Sequence, residues 1–388
     1  MKGNSSRRKF LAAGLALPAA GIGAVTRPQT LGLAPAAAPA GGGLRYKVLG
    51  KTGLKVTTVA FGSMITSDQS VVDKAIELGI NYIDTARGYQ NGNCERMVGA
   101  AIKGKRQNLV ISTKSGSETK QEALAQLDES LKTLGTDYVD VWFIHGKSKG
   151  SQLTDERMEA NEIAKKAGKV RFNGVSVHAG HEEIIPAIVQ KGHLEVILSS
   201  YNFTMDDKID PLLAQAKKAG LGIVAMKVMA GGVRRAKPGD KISTLMKREG
   251  APLAMLKWVL RNPNVDTTIP SITDMDQLDD DLEAMTQPFG APDGKLLAAH
   301  LGDIRPFYCS MCGSCEGSCS KGLPVSDIIR YVSYADGYGQ FGLGRENFMQ
   351  LDAGLRSVRC GDCAGCTVEC PNGVRVAERV ALAQELFA

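Results

Sequence analysis

The stretch Ile83-Asp84-Thr85-Ala86-Arg87-Gly88-Tyr89 sets a carboxylate and a phenol five residues apart, just past a short apolar run. A phenol titrates near ~10, so using one as a proton donor at neutral pH calls for a cation to ease phenolate formation and a carboxylate to hold that cation. Lys114 closes the next strand-like run, 109–114, and His145 closes the one after, 139–145. Three successive runs thus end in groups able to do chemistry. Taken singly, an Asp at a strand end more often caps the next helix, and a lone His is more often structural. It is the joint occurrence that argues for a site.

Outward from this stretch the chain alternates regularly. Short β-branched runs at 56–62, 82–86, 109–115, 139–145, 170–177, 195–201, 222–228 and 267–271 are each followed by an amphipathic segment. In 120–134, for example, Leu124, Leu127, Leu131 and Leu134 share one helical face, and 251–260 reads as a helix with Pro252 in its first turn. Regular strand–helix alternation argues for a parallel sheet, and eight such units in about 250 residues argue for an α/β fold, a closed (β/α)8 TIM barrel. Chemistry in such barrels sits at the carboxyl ends of the strands, where Asp84, Lys114 and His145 fall. Ahead of the barrel, 46–56 predicts a hairpin that plugs its bottom. After it, 287–294 holds two Pro and two Gly and predicts a linker, with a second domain from 295 to 388.

At these spacings Asp84, Tyr89, Lys114 and His145 resemble the catalytic tetrad of the aldo/keto reductases, a resemblance that covers about Leu44 to Pro288 of a barrel placed at 44–290. It implies an oxidoreductase acting on a small carbonyl or alcohol. In that reading Tyr89 is the general acid/base, Lys114 lowers its pKa, Asp84 anchors Lys114 and His145 orients the substrate oxygen. It also implies NAD(P)H, with Ser176, Lys227 and Gly231 as cofactor-binding positions. The chain departs from the family pattern where the nicotinamide would be gripped. Val177 replaces an Asn, Leu198 stands at the position of a Gln, and Met226-Lys227 replaces a stacking aromatic. After the eighth strand, Asp274, Asp276, Asp279, Asp280 and Asp281 would repel a 2′-phosphate, which leaves NAD, a differently held nicotinamide, or none.

The tail carries the other strong signal. Cys309, Cys312, Cys315 and Cys319 form C-x2-C-x2-C-x3-C, and Cys360, Cys363, Cys366 and Cys370 repeat it before Pro371. Disulfides and zinc sites also use closely spaced cysteines, but neither predicts this repeat. The spacing resembles that of two-cluster ferredoxins, in which the fourth Cys of each run ligates the other cluster. This implies two [4Fe-4S] clusters, on Cys309, Cys312, Cys315 and Cys370 and on Cys360, Cys363, Cys366 and Cys319. The first run departs by having Ser320 where Pro is usual. The long separation, with a helical pattern over 326–334, resembles the mostly helical ferredoxin-like type. Cys94 is left over and reads as a small buried hydrophobe.

A chain of 388 residues with 43% hydrophobic residues can bury a full core. The net charge of +6 comes partly from the first residues, and no later basic run is interleaved with aromatics, which argues against a nucleic-acid partner. Ser5-Ser6-Arg7-Arg8-Lys9-Phe10-Leu11 and the Ala/Gly/Pro-rich stretch to residue 43 resemble a twin-arginine export signal with its linker, Ala38 and Ala40 offering small residues for cleavage. The apolar run is broken by Pro18 and falls short of the ~20 residues of a membrane span. The expectation is an exported, periplasmic iron–sulfur oxidoreductase with a small-molecule substrate and a redox partner protein. The alternative is a non-catalytic electron-transfer protein on a reductase-like barrel.

Overall fold

The computed structural model describes residues 43–205, 207–231 and 250–388, all within one compact unit. The export-signal region, 1–42, lies outside the described residues. Strand β1 (Tyr46–Val48) pairs antiparallel with β2 (Lys55–Thr57) in the expected hairpin. Leu49, Leu54 and Val56 from it are fully buried among inward-facing barrel residues such as Val110, Val141, Phe143 and Val224. The hairpin is therefore an apolar plug, seated where Gly50 N–H donates to the Asp266 carboxylate.

The barrel strands are β3 (Phe61–Gly62), β4 (Tyr82–Asp84), β5 (Val110–Ser115), β6 (Val139–Lys147), β7 (Val170–Val177), β8 (Val196–Ser200), β9 (Gly222–Met226) and β10 (Thr267–Thr268). They form one curled parallel sheet in chain order, and the bridges Val59 to Thr268 and Gly62 to Ser271 join its two ends. The expected first strand, 56–62, is in fact two. Its first residues complete the plug hairpin and only Phe61–Gly62 enters the barrel, because Val56 must face the plug core while Phe61 packs outward under the helices.

Between strands the helices form as the periodicity predicts. Lys120–Leu134 is capped by Thr119, whose hydroxyl accepts from Glu122 N–H, and it buries Leu127, Leu131 and Leu134. Ala251–Leu260 carries Pro252 in its first turn. The packing does not break near residue 295, however. Helix Ala291–Ile304 lays Leu297 and Ile304 into the barrel's outer core, and Asp293 pairs with Lys257 at 2.8 Å.

Beyond Tyr308 the tail builds its own core from helices Val325–Asp336, Phe341–Met349 and Val376–Phe387, with Ile328, Val332, Phe348, Val380 and Phe387 fully buried. Gly344 permits the close approach, since a Cβ there would stand 2.5 Å from the Tyr331 carbonyl oxygen. Ile65, from the loop after β3, belongs to the same core, so tail and barrel share a packed boundary.

Candidate active site

The carboxyl ends of β4, β5 and β6 bring Asp84, Lys114 and His145 to one cavity of about 660 Å³, which Tyr89 also lines. Asp84 and Lys114 are 2% and 1% exposed. Two such charges can share the interior only as a hydrogen-bonded pair. Lys114 Nζ donates to Asp84 Oδ2 at 2.5 Å and to the Thr85 carbonyl at 2.7 Å, while Ser112 donates to Asp84 Oδ1 at 2.6 Å. Burial pushes the Asp84 carboxyl up and the Lys114 ammonium down, each against the pull of the other.

Tyr89 opens a tight turn in which Gln90 and Asn91 adopt left-handed backbone, φ 48° and 53°. Such conformations cost non-glycine residues energy and need support. Gln90 Nε2 supplies it by donating to the carbonyls of Met64 and Thr66 at 3.3 and 2.9 Å. The turn leaves the Tyr89 ring 4.9 Å from Lys114 Nζ and edge-on to His145, with ring centres 6.0 Å apart. Burial first, then the charge of Asp84, raises the Tyr89 phenol well above its ordinary pKa, and Lys114 is the cation beside it. His145 is pushed down to about 3, by burial and then by surrounding cations, and is neutral.

The expected cofactor-binding residues divide. Lys227 lines the cavity, whereas Ser176 and Gly231 are not among its lining residues. The Ser176 hydroxyl accepts from Gly146 N–H at 2.7 Å, at the point where the β6–β7 register shifts between Ile144 and Lys147. A bulge re-aims the side chain it carries. Ser176 thus fixes the bulge that turns His145 toward the cavity. At Gly231, φ 99°, a Cβ would meet the Tyr308 ring at 3.1 Å, so this glycine lets the tail approach the barrel. Leu198 is fully buried in the inner barrel core. Asp274 caps helix Met275–Thr286 through Gln277 N–H, a structural use for the start of the acidic run.

Sequence reasoning did not find the roof. Helix Val325–Asp336 lies across the barrel mouth and contributes Asp327, Arg330, Tyr331 and Tyr334 to the cavity, with Tyr338 just beyond it. His178 and Lys147 also line it. Asn202 latches the tail down, donating through Nδ2 to both the Lys227 carbonyl and the Tyr308 hydroxyl at 3.0 Å.

None of the nine cysteines is in a disulfide. Cys94 is buried, donates to the Ser63 carbonyl at 3.1 Å and is pushed up to about 12 by burial, as an inert residue would be. In the tail the two runs interleave. Asn372, two residues past Cys370, donates to Ser310 and Cys312, and Thr367 bonds the backbone at Ser318 and Ser320, on either side of Cys319. Among the described residues no three His, Cys, Asp or Glu side chains form a group that could hold a metal ion. The two expected ligand sets therefore have no counterpart in a closed single-ion shell. No described helix is long and apolar enough to cross a membrane.

Residues 64–301 match the model of the aldo/keto reductase family. Among curated proteins, the uncharacterized oxidoreductase YqkF of Bacillus subtilis is 28% identical over 282 residues, covering 62% of this chain and 91% of its own. L-galactose dehydrogenase of Arabidopsis thaliana is 26% identical, with coverages of 63% and 89%. The solved structure of the aldo-keto reductase AKR11C1 from Bacillus halodurans, in its holo form, superposes with a TM-score of 0.57 at 25% identity, covering 66% of this chain and 96% of that one. With a barrel of this topology and a match over most of its length, the chain belongs to the aldo/keto reductase family and is an oxidoreductase.

Proposed function

We propose that the protein interconverts a small carbonyl compound and its alcohol at Asp84, Lys114, Tyr89 and His145, that its tail carries two [4Fe-4S] clusters in a ferredoxin-like arrangement, and that it is exported. The observation that carries the catalytic part is a protonated phenol at a cavity wall, beside a buried ammonium 4.9 Å from its ring and a neutral imidazole. In reduction, Tyr89 is placed to give its proton to the carbonyl oxygen, and the phenolate left behind would be stabilised by Lys114, which Asp84 keeps in place. His145 donates to the same oxygen and orients it. In oxidation the proton runs the other way.

Members of the family commonly use NAD(P)H, which when bound supplies the hydride. The residues present do not fit the usual grip on it: Ser176 is taken by Gly146 N–H, Leu198 is core, and Lys227 points its charge at tail tyrosines. That misfit favours a second reading, an electron-transfer protein that has kept the barrel but binds no nicotinamide. Saturable fluorescence titration by NADH or NADPH would remove it. For the catalytic reading the test is Tyr89→Phe in active protein. Turnover should fall by about 10²–10⁴-fold, the usual contribution of a positioned acid, and undiminished turnover overturns the assignment.

The cluster proposal is supported by the repeated spacing, by cysteines that form no disulfides and by the interleaving of Asn372 and Thr367 across the two runs. A cuboidal cluster takes one thiolate at each of four irons, so its ligands stand wider apart than those of one ion. Cys309, Cys312, Cys315 and Cys370 would hold one cluster and Cys360, Cys363, Cys366 and Cys319 the other, each supplying one-electron transfer toward a redox partner protein. Export by the twin-arginine route rests on Arg7-Arg8. A route for folded proteins lets clusters assemble before the thiols meet an oxidising compartment.

A further inference from the structure

The tetrad accounts for the cavity floor but not for the roof. Lys227, at the end of β9, is held in left-handed backbone, φ 58°. Its ammonium lies 4.7 Å from the ring centres of both Tyr334 and Tyr338, and 3.8 Å from Met64 Sδ. Among the described residues it meets no carboxylate. Arg330 donates through Nη1 to the Tyr334 hydroxyl at 3.2 Å and through Nη2 to Asp327 at 2.8 Å, and its Nε–H is buried without a partner among the described residues. Asp327 is 43% exposed, so this carboxylate offsets only part of the guanidinium charge inside the cavity.

The surroundings of the two cavity histidines point the same way. At His145, after burial, the charges that press the ring toward neutrality are Lys114, Arg330, Lys227 and Lys147, and at His178 Arg330 and Lys227 lead. Glu118, Glu122, Glu316 and Glu346 line the same cavity but are exposed. The interior is therefore cationic inside an acidic rim. A buried cation with no anion beside it is a standing desolvation cost, which an anionic ligand group removes.

We propose that Lys227, Arg330 and Tyr334 form an oxyanion subsite on the cavity roof, so that the substrate is a small carbonyl or alcohol bearing a carboxylate close to its reacting carbon. The closeness follows from the lining of the cavity, in which Lys227, Arg330 and Tyr334 share one space with Tyr89, Lys114 and His145. A group held by the roof therefore shares the cavity with an oxygen held by the floor. This rests on the catalytic reading above and deepens it, since the tail becomes part of the substrate site.

The probes are pyruvate and methylglyoxal, near-isosteres that differ in a carboxylate, with glycerone phosphate as a phosphate-bearing alternative. Their binding is measured by calorimetry on the full-length, cluster-loaded protein and on Lys227→Met, Arg330→Leu and, in case the leucine disturbs the helix, Arg330→Lys. Pyruvate should bind at least about tenfold more tightly than methylglyoxal. That preference should vanish in Lys227→Met and in Arg330→Leu, and shrink in Arg330→Lys, which keeps the charge but loses the fork. Equal affinities in the native protein, or a preference unchanged in all three variants, overturn the subsite, and tighter binding of glycerone phosphate overturns the carboxylate. Because binding is read without turnover, a failed tetrad would show separately, as undiminished activity in Tyr89→Phe.

Discussion

Lys114 and Asp84 are each secure only because the other is there. Asp84→Asn leaves an ammonium 1% exposed with one carbonyl and a neutral amide for company. Breaking one side of a buried pair costs about 3–5 kcal/mol, whereas removing both charges is often neutral. Urea denaturation should therefore show Asp84→Asn strongly destabilised and Asp84→Asn/Lys114→Met largely recovered, with neither variant active. A double variant as unstable as the single would mean that the pair is not the source of the loss. The floor residues were legible in the sequence because each ends an apolar run, and a parallel barrel puts all such ends together. Arg330 and Tyr334 were not. Asp327, Arg330 and Tyr334 share a face of one helix, which in sequence looks like any polar stripe, and no local rule says which mouth a helix will cover.

Helix His181–Lys191 shows how an element can store a pH dependence. His181, 5% exposed at its first turn, lies 3.0 Å from Ser199 Oγ through Nε2 and is pushed down to about 4 by burial, against a hydrogen bond to the Ser200 backbone carbonyl that raises it. A charged ring there would also oppose the helix dipole. Between about pH 6.5 and 4 the unfolded chain holds a proton that the folded one refuses, so stability is full above that window and falls as pH falls through it, by at most about 1.4 kcal/mol per unit. Denaturation midpoints across this range should show a shallower acid slope for His181→Gln than for the native chain, and an identical slope would remove His181 as a contributor. At this scale the alternation of strands and helices was readable, because period 2 and period 3.6 are strong signals. The boundaries around Thr58 and Phe289 were not. Val56 and Phe61 belong to one β-branched and aromatic run although they serve different sheets, and the Pro/Gly stretch before helix Ala291–Ile304 turns the chain without ending the core.

Across the whole molecule, barrel and tail form one unit in which the redox and substrate chemistry would share a wall, since Met311, inside the first cysteine run, also lines the cavity. Anaerobically purified protein should contain about eight iron atoms per chain with matching sulfide, and an Arg7→Lys/Arg8→Lys variant should stay in the cytoplasmic fraction with its iron in place. Zinc instead of iron would refute the clusters, and normal export of the variant would refute the route. The interleaving of the tail has a consequence for synthesis. Asn372 reaches back to Ser310 and Cys312, and Thr367 to the residues flanking Cys319, with the roof helix made in between. A chain emerging from its amino terminus completes the barrel floor first, but neither cysteine neighbourhood can close until the second run has been made. The helix that roofs the barrel is therefore fixed only after the barrel itself has been made, and a message truncated before Cys360 would leave that helix without Arg379, which pairs with Asp336 at its last residue.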